Sequence, residues 1–196
     1  MKKFFLISTA VIAFLSLEAQ KLNVVVNYVT QDAAAGSNNI LYAPGELLSW
    51  SDFKASPVEG HDAAALSNAG FGIKLMFRRL GDASQLTIAV SCSFSRKDSW
   101  VKRGNKTTYI LNHEQKHFDI AYISTMLFIQ NLKKATFTNT NYAALIEKIY
   151  NESAQAMSDM QNHYDGETSH SRIPEKQAEW DEKVNAHLAL VKASLD

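Results

Sequence analysis

The stretch from Thr107 to about Lys134 constrains this chain most. At about 100° per residue, Ile110, His113, His117, Ile120, Ala121, Ser124 and Phe128 fall on one helical face. Leu111, Phe118, Tyr122 and Ile129 widen that face into the arc expected of a helix buried in a core. Two histidines on such a face need partners, because a buried imidazole without a hydrogen bond or a ligand is costly.

Residues 113–117 read His113-Glu114-Gln115-Lys116-His117. Histidines four apart on a helix project side by side, and their imidazoles can take two positions of a tetrahedral zinc site. Glu114, about a third of a turn away, can reach a water on such a metal rather than the metal itself. Zinc draws the pKa of that water toward ~7, so a carboxylate can remove its proton and pass it to a leaving amine. The expected catalytic base is therefore Glu114, and the expected metal ligands begin with His113 and His117. The bland alternative is a pair of structural histidines beside a solvated glutamate.

A hydrolytic zinc needs a third protein ligand and an open position. Asp119 points about 140° away from the mean direction of the histidines and reads as a supporting or capping residue. Downstream, His163-Tyr164-Asp165-Gly166-Glu167-Thr168-Ser169-His170 concentrates ligand-type side chains where a chain reversal could return them to the first helix. His170 leads as third ligand and Asp165 follows, with His163 and Glu167 behind them and Glu152 as a helix-borne alternative. An exposed polar turn is the other reading of this segment. Tyr164 could donate to an oxyanion or pack as an interior tyrosine.

The remaining chain reads as strands followed by helices, an α+β domain with a small mixed or antiparallel sheet. Leu22 to Thr30 is a first strand, and Phe71 to Phe77 and Leu86 to Phe94 alternate as two neighbouring strands joined by a loop longer than a tight hairpin. Leu47 to Phe53 is a short ordered element or an aromatic-anchored loop. The end Ser93-Phe94-Ser95 could form an edge that pairs with an extended peptide. A second helix spans about Asn141 to Asn162 and is expected to break at Asp165-Gly166; a third begins near Pro174. Trp50, Trp100 and Trp180 read as core anchors, and His61 and His187 as surface residues.

Lys2 and Lys3 precede an uncharged apolar run from Phe4 to Leu17, the pattern of a signal peptide over residues 1–19, with residues 20–196 as one exported domain, periplasmic or secreted. An uncleaved tether is the alternative. Removing Lys2, Lys3 and Glu18 from 20 basic and 20 acidic side chains leaves 18 against 19, a balance that offers no electrostatic case for nucleic acid or anionic lipid. Cys92 is the only cysteine, so any metal must be held by His, Asp or Glu.

These residues resemble the bacterial domain-of-unknown-function family 922, described as predicted secreted zinc-dependent proteases. The likeness rests on Leu111-Asn112-His113-Glu114-Gln115-Lys116-His117-Phe118-Asp119-Ile120, on Tyr164-Asp165 to Thr168 and His170, and on Gln177 with Trp180. Weaker matches are Leu48 to Phe53 and Ser99 to Lys102. The family pattern has glycine where this chain has Ser171. The resemblance implies a zincin-like domain with His113 and His117 as zinc ligands, Glu114 as base and His170 as third ligand; it implies no substrate, and a protein or peptide is the expectation from the His-Glu-x-x-His spacing. Two other functions compete with a metalloprotease: a non-catalytic, zinc-stabilised envelope binding module, and an amidase acting on cell-wall peptides.

Overall fold

The computed structural model describes residues 22–30, 38–81 and 83–193. The expected signal peptide at 1–19 lies outside them.

The organising strand is β5 (Ala83–Ser95), whose side chains alternate strictly between half-buried and buried. Leu86, Ile88, Val90, Cys92 and Phe94 all face the core at no more than 1% exposure. β4 (Ala69–Leu80) covers one side of β5 along its length, antiparallel. On the other side β1 (Leu22–Tyr28) pairs in parallel with Ser84 to Val90, and β2 (Asn39–Leu41) pairs antiparallel with Ser93 to Ser95. A separate two-stranded ribbon joins β3 (Ala65–Leu66) to β6 (Trp100–Val101).

Two strand expectations change. Leu80 pairs with Ala83, so only residues 81 and 82 separate β4 from β5 and the connection is a tight hairpin; Gly81 supplies a φ of +61° at its start. Ser93, Phe94 and Ser95 are not an edge, because β5 carries a partner strand on both sides there.

Three helices follow: α1 (Thr108–Lys134), α2 (Tyr142–Thr168) and α3 (Pro174–Ala193). Thr107 caps α1 by accepting the Ile110 N–H at 3.1 Å. α1 packs against β1, β4 and β5 on one side and α2 and α3 on the other, which makes it the central helix of the domain. His113 to Met126 are consequently buried around the full circumference, beyond the arc that periodicity indicates.

α2 does not break at Asp165-Gly166. It runs two residues past Gly166 and ends at Ser169, whose left-handed backbone lets its N–H reach the Asp165 and Gly166 carbonyls. A helical glycine costs about 1 kcal/mol relative to alanine. Here the cost is offset because Tyr164 and Thr168, flanking it on one face, are fully buried.

The short segment before β3 is a 3₁₀ turn at Trp50–Asp52, anchored by Phe53 packed on Phe94. Trp100 and Trp180 are core residues and Trp50 is half-buried. Cys92 is a buried free thiol.

Candidate metal centre

Polar side chains inside a fully buried helix must each be accounted for. Gln115 accepts the Leu48 N–H at 2.8 Å and donates to Asp119. Lys116 donates to Asp119 and Asn185, and Asp119 also accepts from the Tyr42 hydroxyl. Asp119 thus lies on the side away from the histidines, as helical geometry requires. It caps no helix and supports no ligand, but ties α1 to the segment after β2.

His113 and His117 look the other way, toward α2 and α3. Gln177 donates its amide N–H groups to the Tyr164 hydroxyl and to Asp181, so its Oε1 is left to accept the Nδ1 proton of His113 at 2.8 Å. Gln161 does the same for His117: its Nε2 donates to the His117 carbonyl and its Oε1 takes the Nδ1 proton. With both protons on Nδ1, both Nε2 lone pairs point inward. The two Nε2 atoms are 3.3 Å apart, and Asp165 Oδ1 lies 3.1 Å from each.

Three electron-pair donors at this separation repel one another unless a cation or a proton lies among them. Donors this close together could share one ion. His113, His117 and Asp165 thus form a group, buried at both histidines and partly so at Asp165, that could hold a metal ion. Glutamine acceptors on both Nδ1 atoms are the kind of outer contact that orients metal-binding imidazoles.

The electrostatics express the same demand. Burial alone would lower the His117 pKa, but the hydrogen bond to Asp165 and the nearby carboxylates of Glu114 and Asp165 raise it to about 9. Burial would raise Asp165, yet its bonds to His113 and His117 hold it far below the usual carboxylate range.

Glu114 completes the centre. It is 2% exposed, and its Oε2 is the one buried side-chain oxygen or nitrogen without a hydrogen-bond partner among the described residues. An orphan carboxylate oxygen is expensive in a core and marks a position kept for a ligand.

Of the downstream candidates, Asp165 stands with the histidines. His170 stands beside it, with Nδ1 3.3 Å from Asp165 Oδ1. His163 and Glu167 pair with each other on the exposed side of α2, and Glu152 is exposed beside Lys148. Tyr164 is fully buried and stacked on the His113 ring, and its hydroxyl donates to the His113 carbonyl at 3.3 Å while accepting from Gln177. That hydroxyl is engaged in the interior and is not aimed at a reacting group.

A cavity of about 290 Å3 opens onto His117 and Asp165, bordered by His170, Gln161, His61 and the β3 segment. His61 is thus not an isolated surface residue. Its ring packs edge-on against Trp100, and its Nδ1 accepts the Ala63 N–H at 3.1 Å, which places the neutral ring's proton on Nε2. His187 is half-buried on α3.

Residue spacing misses Gln161, His61 and Asp181. Gln161 precedes Asp165 by one helical turn, and Gln177 precedes Asp181 by another, a signal usable only once α2 is known to continue. No protein-family model, curated protein or solved structure matches the chain.

Proposed function

We propose that this protein is a zinc-dependent metallohydrolase that cleaves peptide bonds. The observation that carries the reading is the convergence of His113 Nε2, His117 Nε2 and Asp165 Oδ1 within 3.3 Å, with the buried Glu114 carboxylate near enough to act on His117 and its Oε2 unpartnered among the described residues. The resemblance to predicted secreted zinc proteases points the same way.

Zinc held there would supply Lewis acidity, polarising a carbonyl and drawing the pKa of a water toward ~7. The chain's own part is positional and protonic. Gln177 and Gln161 fix the two imidazoles with Nε2 inward, and Asp165 adds the negative charge. Glu114 receives a proton at Oε2 and returns it to the leaving nitrogen, a role a desolvated carboxylate without a competing partner can fill. Since Tyr164 is engaged elsewhere, His61 is the side chain we assign to donate, through Nε2–H, to the carbonyl oxygen of a substrate in the cavity. His61 Nε2 has no hydrogen-bond partner among the described residues.

The cavity supports a hydrolase over a non-catalytic zinc-stabilised module, which has no need for open space beside the metal. The test uses the chain from Gln20 onward, loaded with zinc, against an unfolded protein substrate. Glu114→Gln is expected to keep its zinc while losing hydrolysis by at least about two orders of magnitude. Full hydrolysis by that variant defeats the proposed mechanism, and absence of stoichiometric zinc in the wild type defeats the metal reading.

A further inference from the structure

The overall charge balance conceals a segregated patch. The seven residues Lys74 to Leu80, which form the outer end of β4, are all exposed. They comprise Lys74, Arg78 and Arg79 with Leu75, Met76, Phe77 and Leu80; with Asp82, which follows in the sequence, this stretch has three basic side chains against one acidic. The four apolar side chains are 44%, 42%, 52% and 54% exposed, in that order. None of the three cations has an ion-pair partner among the described residues. β4 pairs only with β5, so its other edge carries no strand among them.

The register shows that the apolar groups are not confined to one face. Leu75 and Phe77 lie opposite Ile88 and Leu86, on the core face of the sheet, where Phe77 reaches Tyr142. Met76 and Leu80 lie opposite Thr87 and Ala83, on the other face. A protein groove or an added strand takes up one face or one edge, whereas a bilayer surrounds an inserted tip and accepts apolar groups from every side. Charge excludes a second copy as the partner, because pairing two β4 edges would bring both sets of cations into one interface. Anionic phosphates complement them instead.

We propose that the β4–β5 hairpin tip docks peripherally on a bilayer rich in anionic phospholipid, with Phe77 and Leu80 immersed and Lys74, Arg78 and Arg79 at the phosphates. The three steps from Phe77 to Leu80 advance about 10 Å along a strand. That matches the roughly 5–10 Å to which interfacial segments bury their apolar groups. The arginine stems are long enough to return their guanidinium groups to the headgroup level. No helix among the described residues is long and apolar enough to cross a membrane, and none is needed for this attachment.

The test is cosedimentation of the chain from Gln20 onward, which contains every described residue and lacks the apolar run Phe4 to Leu17. Vesicles of phosphatidylcholine alone are compared with vesicles containing phosphatidylglycerol. Binding is expected only to the latter and is expected to weaken at high salt. Arg78→Glu with Arg79→Glu should reduce partitioning by about fivefold or more for each charge removed. Phe77→Ser with Leu80→Ser should reduce it at least about tenfold, because two buried apolar side chains are lost. The arginine variant should keep the wild-type melting temperature, since both positions are exposed; Leu80→Ser alone is the matching control for the apolar pair, because Phe77 also packs on Tyr142. Zinc removal should change nothing, which separates this proposal from the metal centre. Failure of the wild type to bind phosphatidylglycerol vesicles overturns it, as does equal binding by all variants. Arginine-dependent retention on polyglutamate without vesicle binding would also overturn it, by assigning the patch to an acidic protein segment.

Discussion

Gln177 Oε1 accepts the Nδ1 proton of His113 at 2.8 Å, and so decides which nitrogen of that ring faces Asp165. Gln177 is 1% exposed and donates its two N–H groups to Tyr164 and Asp181, so its amide cannot turn over without breaking three hydrogen bonds. Gln177→Leu keeps the volume but removes the acceptor. Zinc affinity, measured by competition with a chromophoric chelator, is expected to fall roughly 10- to 100-fold, the usual effect of losing such an outer contact. Equal affinity in wild type and Gln177→Leu would mean that Gln177 does not orient His113.

Asp165 and His170 can be separated as ligands. Asp165 Oδ1 touches both His113 and His117, whereas His170 Nδ1 lies 3.3 Å from Asp165 and outside the group of three. Metal analysis should therefore show stoichiometric zinc lost in Asp165→Ala and retained, with weaker affinity, in His170→Ala. Full zinc in Asp165→Ala together with complete loss in His170→Ala would reverse that order.

What the sequence makes legible here is what local periodicity encodes. The alternation of Leu86 to Phe94 and the helical face from Ile110 to Phe128 depend only on neighbours a few residues away, and both are present in the fold. The end of α2 is different. Asp165-Gly166 is a turn signal by local chemistry, but Asp165 is held by His113 and His117, some fifty positions earlier, and the helix continues through it. That continuation aligns Gln161, Tyr164 and Asp165 toward α1. His61 escapes notice for a similar reason, because it comes to the cavity only through the segment that leads into the β3–β6 ribbon, where its ring packs on Trp100.

Asp52 gives a pH-dependent prediction away from the metal centre. Burial would raise its pKa, but the Ser49 N–H and hydroxyl and the Arg96 guanidinium hold it below the ordinary carboxylate value. A depressed folded pKa contributes stability above the unfolded value near ~4, and that contribution is lost as pH falls through the folded value. Asp52→Asn should cost about 1–2 kcal/mol at neutral pH, the scale for hydrogen bonds to a charged group. In urea unfolding, the gap between the two proteins should narrow at about pH 3. An unchanged gap would mean that the charge of Asp52 contributes nothing.

Ser171 adopts a φ of +68°, and it follows Ser169 at +48° and His170 at +52°. Three consecutive left-handed residues without a glycine are unfavourable, at roughly 1–2 kcal/mol each. The run persists because its backbone is tied on both sides: His170 N–H donates to the Asp165 carbonyl, Ile173 N–H to the Thr168 carbonyl, and the Tyr109 hydroxyl to the Ser171 carbonyl at 2.9 Å. Serine here bears a strain that glycine would relieve. Ser171→Gly also gains freedom in the unfolded chain, which returns about 0.5–1 kcal/mol of the benefit. The net expectation is stabilisation by about 1 kcal/mol or less, a rise in melting temperature of roughly 2 °C. Ser171→Ala should show no such rise, because alanine meets the same steric conflict. Zinc affinity should stay near wild type in both, since the ties at His170 and Ile173 use neighbouring backbone groups. Equal melting temperatures for the glycine and alanine variants would show that the turn is not strained at this residue.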